Sequence, residues 1–159
     1  MMDWGQEPAD PANPGPYEFD IVYATTISED RRIYVSDRAR FQVFGENGEF
    51  QFMFPIRPRG SPLVYAVEVM LDPSVEEVLW IADGGTGRML KYDREGNFHY
   101  VGGTPGNEYG HFNGTHSMTT GQDGNLYISE VFAGRVQKIV PGSGADAHKI
   151  VARQLREYY

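Results

Sequence analysis

The chain of 159 residues is long enough for about one ordinary domain, and its 13% aromatic content with 19 Gly and 10 Pro favours many short strands joined by turns over long helices. A formal net charge of −8, with no cluster of Lys or Arg, excludes a nucleic-acid partner of the usual kind, which needs a basic face. Cysteine is absent, so disulfides and thiol chemistry are excluded, and no apolar run approaches the roughly 20 residues needed to span a bilayer.

Residues 1–16 come first. Met1 to Glu7 is acidic and does not read as a secretory signal. Residues 6–16 are rich in Pro, Gly and acid and read as a linker. Trp4-Gly5 reads as the end of an outer strand whose predecessors are missing, which leaves two localisations open: cytoplasmic, or extracytoplasmic for a chain without its true beginning. The rest is governed by a stretch that occurs three times: Ile33-Tyr34-Val35-Ser36-Asp37, Leu79-Trp80-Ile81-Ala82-Asp83 and Leu126-Tyr127-Ile128-Ser129-Glu130. Each copy reads apolar, aromatic, β-branched, small, acidic. The acidic positions lie 46 and 47 residues apart, and Arg40, Arg88 and Arg135 follow them in turn. A fixed period of about 20–50 residues signals one supersecondary unit stacked on itself.

The first unit, about 17–60, predicts strands over 22–28, 32–37, 40–44 and 49–54, with Asn47-Gly48 marking a hairpin. The second, about 61–103, predicts strands over 63–71, 78–83, 88–92 and 97–101, with a longer first turn over 72–77. The third, about 104–144, predicts strands over 117–120, 125–130 and 135–140, with a turn at Gln122-Asp123-Gly124. Residues 145–159 form a tail, read either as a helix with Ile150, Val151, Leu155 and Tyr158 on one face or as a fourth strand over 149–152. The expected architecture is all-β: three four-stranded antiparallel sheets over 17–144, arranged radially as β-propeller blades.

The segments YVSDRARFQVFGENGEF, LWIADGGTGRMLKYDREGNF and THSMTTGQDGNLYISEVFAGRVQKIVPG resemble NHL repeats, and among these the peptidyl-α-hydroxyglycine α-amidating lyase-like six-bladed propellers. The resemblance implies that these blades are half of a six-bladed ring. Three blades cannot close a circle, since propellers take about four to eight. Three outcomes stay open: the C-terminal half of a longer chain, a homodimer completing the ring, or an open arc.

In such a ring the first strand of each blade lines the channel. Equal 11-residue spacings, Tyr23 to Tyr34 and His116 to Tyr127, place Tyr23 and His116 at one channel mouth, and Tyr65 is taken as their counterpart once the longer turn is allowed for. Arg38 has no equivalent in the other units and is expected to face the channel. The resemblance implies zinc held by histidines at this position; only His116 is present, and a catalytic zinc takes three protein ligands. Asp37, Asp83 and Glu130 admit two readings: a ring of carboxylates for calcium or a cationic substrate, or acceptors for loop N–H groups and the following arginines. Repetition favours the second, with Arg40, Arg88 and Arg135 expected to form ion pairs from blade to blade. His111, His99 and His148 carry no assigned role. The expected function is binding of a small molecule, a peptide or a protein at the channel face; the alternative is a metal-dependent lyase of the amidating type, complete only with further blades.

Overall fold

The computed structural model describes residues 3–56, 65–72, 78–121 and 125–140. All regular elements in them are strands, and each predicted sheet is present. The first sheet runs β1 (Val22–Ile27), β2 (Ile33–Asp37), β3 (Arg40–Phe44) and β4 (Phe50–Pro55), all antiparallel and in sequence order. The second repeats this with β5 (Ala66–Leu71), β6 (Leu79–Asp83), β7 (Arg88–Tyr92) and β8 (Phe98–Gly102). Between the second and third sheets, the glycine-rich connector carries a short parallel pair, β9 (Thr104–Pro105) and β10 (His111–Phe112). The third sheet has β11 (Thr115–Thr120), β12 (Leu126–Glu130) and β13 (Arg135–Ile139). The turn at 122–124, the connector over 57–64 and the tail with its expected fourth strand lie outside the described residues.

Hairpin chemistry explains the boundaries. Gly48 and Gly96 both adopt positive φ, +82° and +89°, at the corresponding β3–β4 and β7–β8 turns, where glycine carries no steric penalty. Asp93 closes its turn by accepting from the N–H groups of Glu95 and Asn97 at 3.0 and 2.7 Å.

The core lies between the sheets. Alternation along a strand sends successive side chains to opposite faces. Leu79 and Ile81 of β6 pack with Leu90, Tyr92 and Val69 against Tyr34, Phe41, Val43 and Phe54 of the first sheet. Trp80 and Ala82 turn the other way and pack with Met89 against Met118, Leu126 and Ile128 of the third sheet. The second sheet is therefore covered on both faces, and every residue of β6 is buried. In β12 Leu126, Ile128 and Glu130 are buried, and Tyr127 and Ser129 on the other face are half-buried. The first strands also neighbour one another, β1 beside β5 and β5 beside β11. Sheets stacked face to face with their first strands adjacent are blades of a β-propeller.

Candidate functional site

The connectors enter the first strands, and the β2–β3, β6–β7 and β12–β13 hairpins turn, at one end of the sheets. The three repeated acids lie there, and all are buried. Asp37 Oδ1 accepts from the N–H groups of Asp20 and Ile21 at 3.1 and 3.0 Å, and Asp83 Oδ1 from Tyr65 N–H at 3.0 Å. Glu130 Oε1 accepts from Asn113 N–H at 2.6 Å. Each carboxylate thus pins the backbone that leads into its own first strand.

The second oxygen orders the hairpin. Arg40 donates to Asp37 Oδ2 at 2.9 and 2.6 Å and to the carbonyls of Pro14 and Glu18. Arg135 donates to Glu130 Oε2 at 2.7 Å and to the carbonyls of Asn107, Glu108 and His111. These arginines therefore act within a sheet and its incoming connector, not from blade to blade as expected. Side chains at the sheet edge reach the connector crossing above them sooner than the next sheet. Arg88 stands opposite Asp83 in register, but there the Thr86 hydroxyl donates to Oδ2 instead. Among the described residues, the ion pairs that cross between sheets lie at the far end, Arg94–Asp30 at 3.1 Å and Arg32–Glu95 at 3.6 Å. Asp30 is held below the usual carboxylate range by the Ser28 hydroxyl, with Arg94 and Arg32 adding to it against a cost of burial.

Two glutamines complete the arrangement, and sequence reasoning missed them. Gln42 accepts from Tyr17 N–H at 2.9 Å and donates to Glu18 C=O at 2.7 Å. Gln137 accepts from Gly110 N–H at 3.0 Å and donates to His111 C=O at 2.7 Å. The available signal was the recurrence of Arg-x-Gln at Arg40 and Arg135, which Arg88-Met89-Leu90 breaks.

Each first strand is kinked at its second residue. The pairing slips between Val22 and Ala24, between Ala66 and Glu68, and between Thr115 and Ser117. Tyr23, Val67 and His116 are the extra residues of these bulges, a device that re-aims a side chain. Tyr23 and His116 thus share one structural position and are both exposed. Tyr65 does not share it. Its N–H binds Asp83 as Ile21 N–H binds Asp37, which puts it two residues earlier, and its ring lies over Gly85, where a Cβ would approach within 2.8 Å. The strand bounds leave two more residues between β5 and β6 than between β1 and β2 or β11 and β12, so Val67, and not Tyr65, is the counterpart.

Arg38 sits in the β2–β3 turn with φ +48°. Its carbonyl accepts from Ala66 N–H at 3.0 Å, tying the first sheet to the start of β5, and its Nε lies 2.6 Å from Asp20 Oδ2. Just beyond the bulges, Ser117 donates to Glu68 Oε2 at 2.9 Å, linking β11 to β5. A phenol, an imidazole, a carboxylate, a hydroxyl and a half-exposed guanidinium therefore border the same end of the first strands.

The described residues do not by themselves make a metal centre. Among the described residues, no three His, Cys, Asp or Glu side chains converge. The buried carboxylates of Asp37, Asp83 and Glu130 already accept from backbone N–H groups together with Arg40, Thr86 or Arg135, which leaves calcium no acidic ring to occupy. His111 lies 3.6 Å from Glu108, and His99 lies 3.4 Å from Asp93. His148 falls outside the described residues.

No family model and no curated protein matches the chain. Solved structures do. Virginiamycin B lyase from Staphylococcus aureus superposes with a TM-score of 0.50 at 12% identity, over 76% of this chain and 42% of that one. A catalytically inactive variant of that lyase with quinupristin gives 0.52 at 12%, over 77% and 42%. A Bacteroides thetaiotaomicron protein of unknown function gives 0.54 at 17%, over 76% and 36%. The chain spans about two-fifths of the length of these structures. At such identities the likeness is one of fold, and the fold is the β-propeller.

Proposed function

We propose that this chain is an NHL-type propeller segment, half of a six-bladed ring, that binds a peptide, a small molecule or a protein where its first strands begin. The observation that carries this reading is the shared bulge at Tyr23 and His116. It puts an exposed phenol and an exposed imidazole at one structural position, next in sequence to the strand residues that carry the Glu68–Ser117 pair and at the end of the sheets where Arg38 lies. Side chains held on paired strands, and not on free loops, lose little freedom when a ligand arrives. The test is selection of short linear peptides displayed on phage against the wild-type chain. Enriched clones are expected to lose at least about tenfold in affinity for Tyr23→Ala and His116→Ala, a loss of about 1.4 kcal/mol. Clones that bind both variants as tightly as wild type would place the site elsewhere.

The second reading is a metal-assisted lyase, favoured by the fold shared with virginiamycin B lyase and by the exposure of His116. A catalytic zinc takes three protein ligands and an open position, so this reading draws its other ligands from beyond the described residues. Elemental analysis of the purified chain separates the two. Stoichiometric zinc that is lost in His116→Ala supports the lyase, and its absence leaves binding.

A further inference from the structure

The segment over residues 3–21 repeats several of the main contacts of the connector over 103–114. Gly5 and Gly103 both adopt positive φ, +116° and +91°. A Cβ on Gly5 would meet the ring of Phe19 at 2.9 Å, and one on Gly103 the ring of Phe112 at 2.9 Å. Gln6 bridges Glu18 in parallel, as Thr104 bridges His111. Glu18 and His111 each offer a carbonyl to an arginine and a glutamine of the following sheet. Tyr17 and Gly110 each donate N–H to that glutamine from positive φ, +63° and +80°. Residues 103–114 have a defined use: they join two stacked sheets. Phe112 is 7% exposed because it is buried with Trp80, Ala82 and Met89 of the preceding sheet. Phe19 has the same backbone setting without such a face over it, and it is half-buried. On the same side of β1, Val22 and Ile27 stand 51% and 62% exposed.

The missing face exists on the same chain. Phe41, Met89 and Val136 hold one register position, directly after the arginine of each unit. Phe41 and Met89 are 0% and 6% exposed beneath the next sheet, whereas Val136 is 68% exposed. Beside it, Lys138 lies 5.5 Å from the Tyr127 ring, as Lys91 lies 5.6 Å from the Trp80 ring within the covered face. The third sheet thus repeats a face that is covered in the second.

We propose that a second copy of this chain covers it: the open face of the third sheet in one copy receives the 3–21 segment and the β1 side of the other, head to tail and twice over. The occupant is a second copy because one chain carries both halves of an interface it already makes internally. The proposal rests on the reading of these sheets as part of a larger ring, and not on any ligand.

Sedimentation of the full chain at tens of micromolar tests it. The expected mass is twice the 17.9 kDa of the single chain. Val136→Asp and Phe19→Asp should each give monomers with unchanged circular dichroism. Their equimolar mixture should recover dimer, because one of its two junctions keeps both wild-type surfaces. Ile27→Asp, at a position already open to solvent, replaces Phe19→Asp if that variant fails to fold. A monomeric wild-type chain, a dimer indifferent to these substitutions, or a mixture that stays monomeric would each overturn the proposal. Peptides that still bind monomeric Val136→Asp would keep the binding site standing whatever the mass proves to be.

Discussion

Tyr92 carries its hydroxyl into the packed space between the first two sheets, with Phe98 at 5.5 Å and Phe54 at 6.1 Å between ring centroids. No described group hydrogen-bonds that hydroxyl, and burial pushes the phenol up to about 12. An unsatisfied buried hydroxyl costs on the order of 1 kcal/mol or more, so Tyr92→Phe is expected to match or exceed wild-type stability by about 1 kcal/mol. The sign with pH follows from the raised value. The folded state keeps a proton that the unfolded chain gives up near pH 10, so the contribution is whole below that pH and is lost as pH climbs toward 12. Urea midpoints at pH 8 and pH 11 check this: Tyr92→Phe should lose less than wild type between them. Glu130 has the opposite sense. Burial works against its charge, but Arg135, Asn113 N–H and Gln137 outweigh it and hold the carboxyl below its usual range. Its stabilisation is present above the ordinary glutamate value and fades as pH falls through the lowered one. Glu130→Gln should therefore cost about 2 kcal/mol at pH 7. Its acid unfolding should also be less steep than wild type, and equal steepness would assign the acid sensitivity to other groups.

At the scale of elements, the acid, arginine and glutamine of the first and third sheets act as one clamp on the connector above them. Gln137→Leu, which copies Leu90 of the second sheet, removes bonds to Gly110 and His111 while keeping an apolar body. Expected are a loss of about 1–3 kcal/mol and faster amide exchange over 104–112, with β12 unaffected; exchange unchanged over 104–112 would mean that the arginine holds the connector alone. The strands themselves were legible because alternation, a repeated acid and the Gly turns are local properties of the chain. The clamp's destination was not, since the carbonyls it binds belong to backbone that any residue could supply. The bulges were hidden for a related reason. A one-residue slip leaves the residue types of β1 and β11 unchanged, and only pairing reveals it, so Tyr65 took the place that belongs to Val67.

At the scale of the molecule, the repeat made the stacking of sheets legible, but not which faces lie open, because the same residue types fill covered and uncovered positions. That difference gives a stability gradient. In stacked repeats, each unit is stabilised mainly by its neighbours, and only the second sheet has a described sheet on both sides. Amides of β6 and β7 should then exchange most slowly, and those of β12 and β13 faster, in chain held monomeric by dilution. Trp80 reports the protected region by fluorescence: it is one of two tryptophans, 2% exposed against 37% for Trp4, and donates to Asp72 Oδ2 at 3.0 Å. Trp80→Phe gives up that bond and some packing, while Trp80→Ala should cost about 4 kcal/mol. Val136→Ala, on the open face, should cost under about 0.5 kcal/mol in the monomer. If the Val136→Ala cost instead approaches that of Met89→Ala at every chain concentration, the third sheet is already covered within a single chain, and the gradient disappears with its cause.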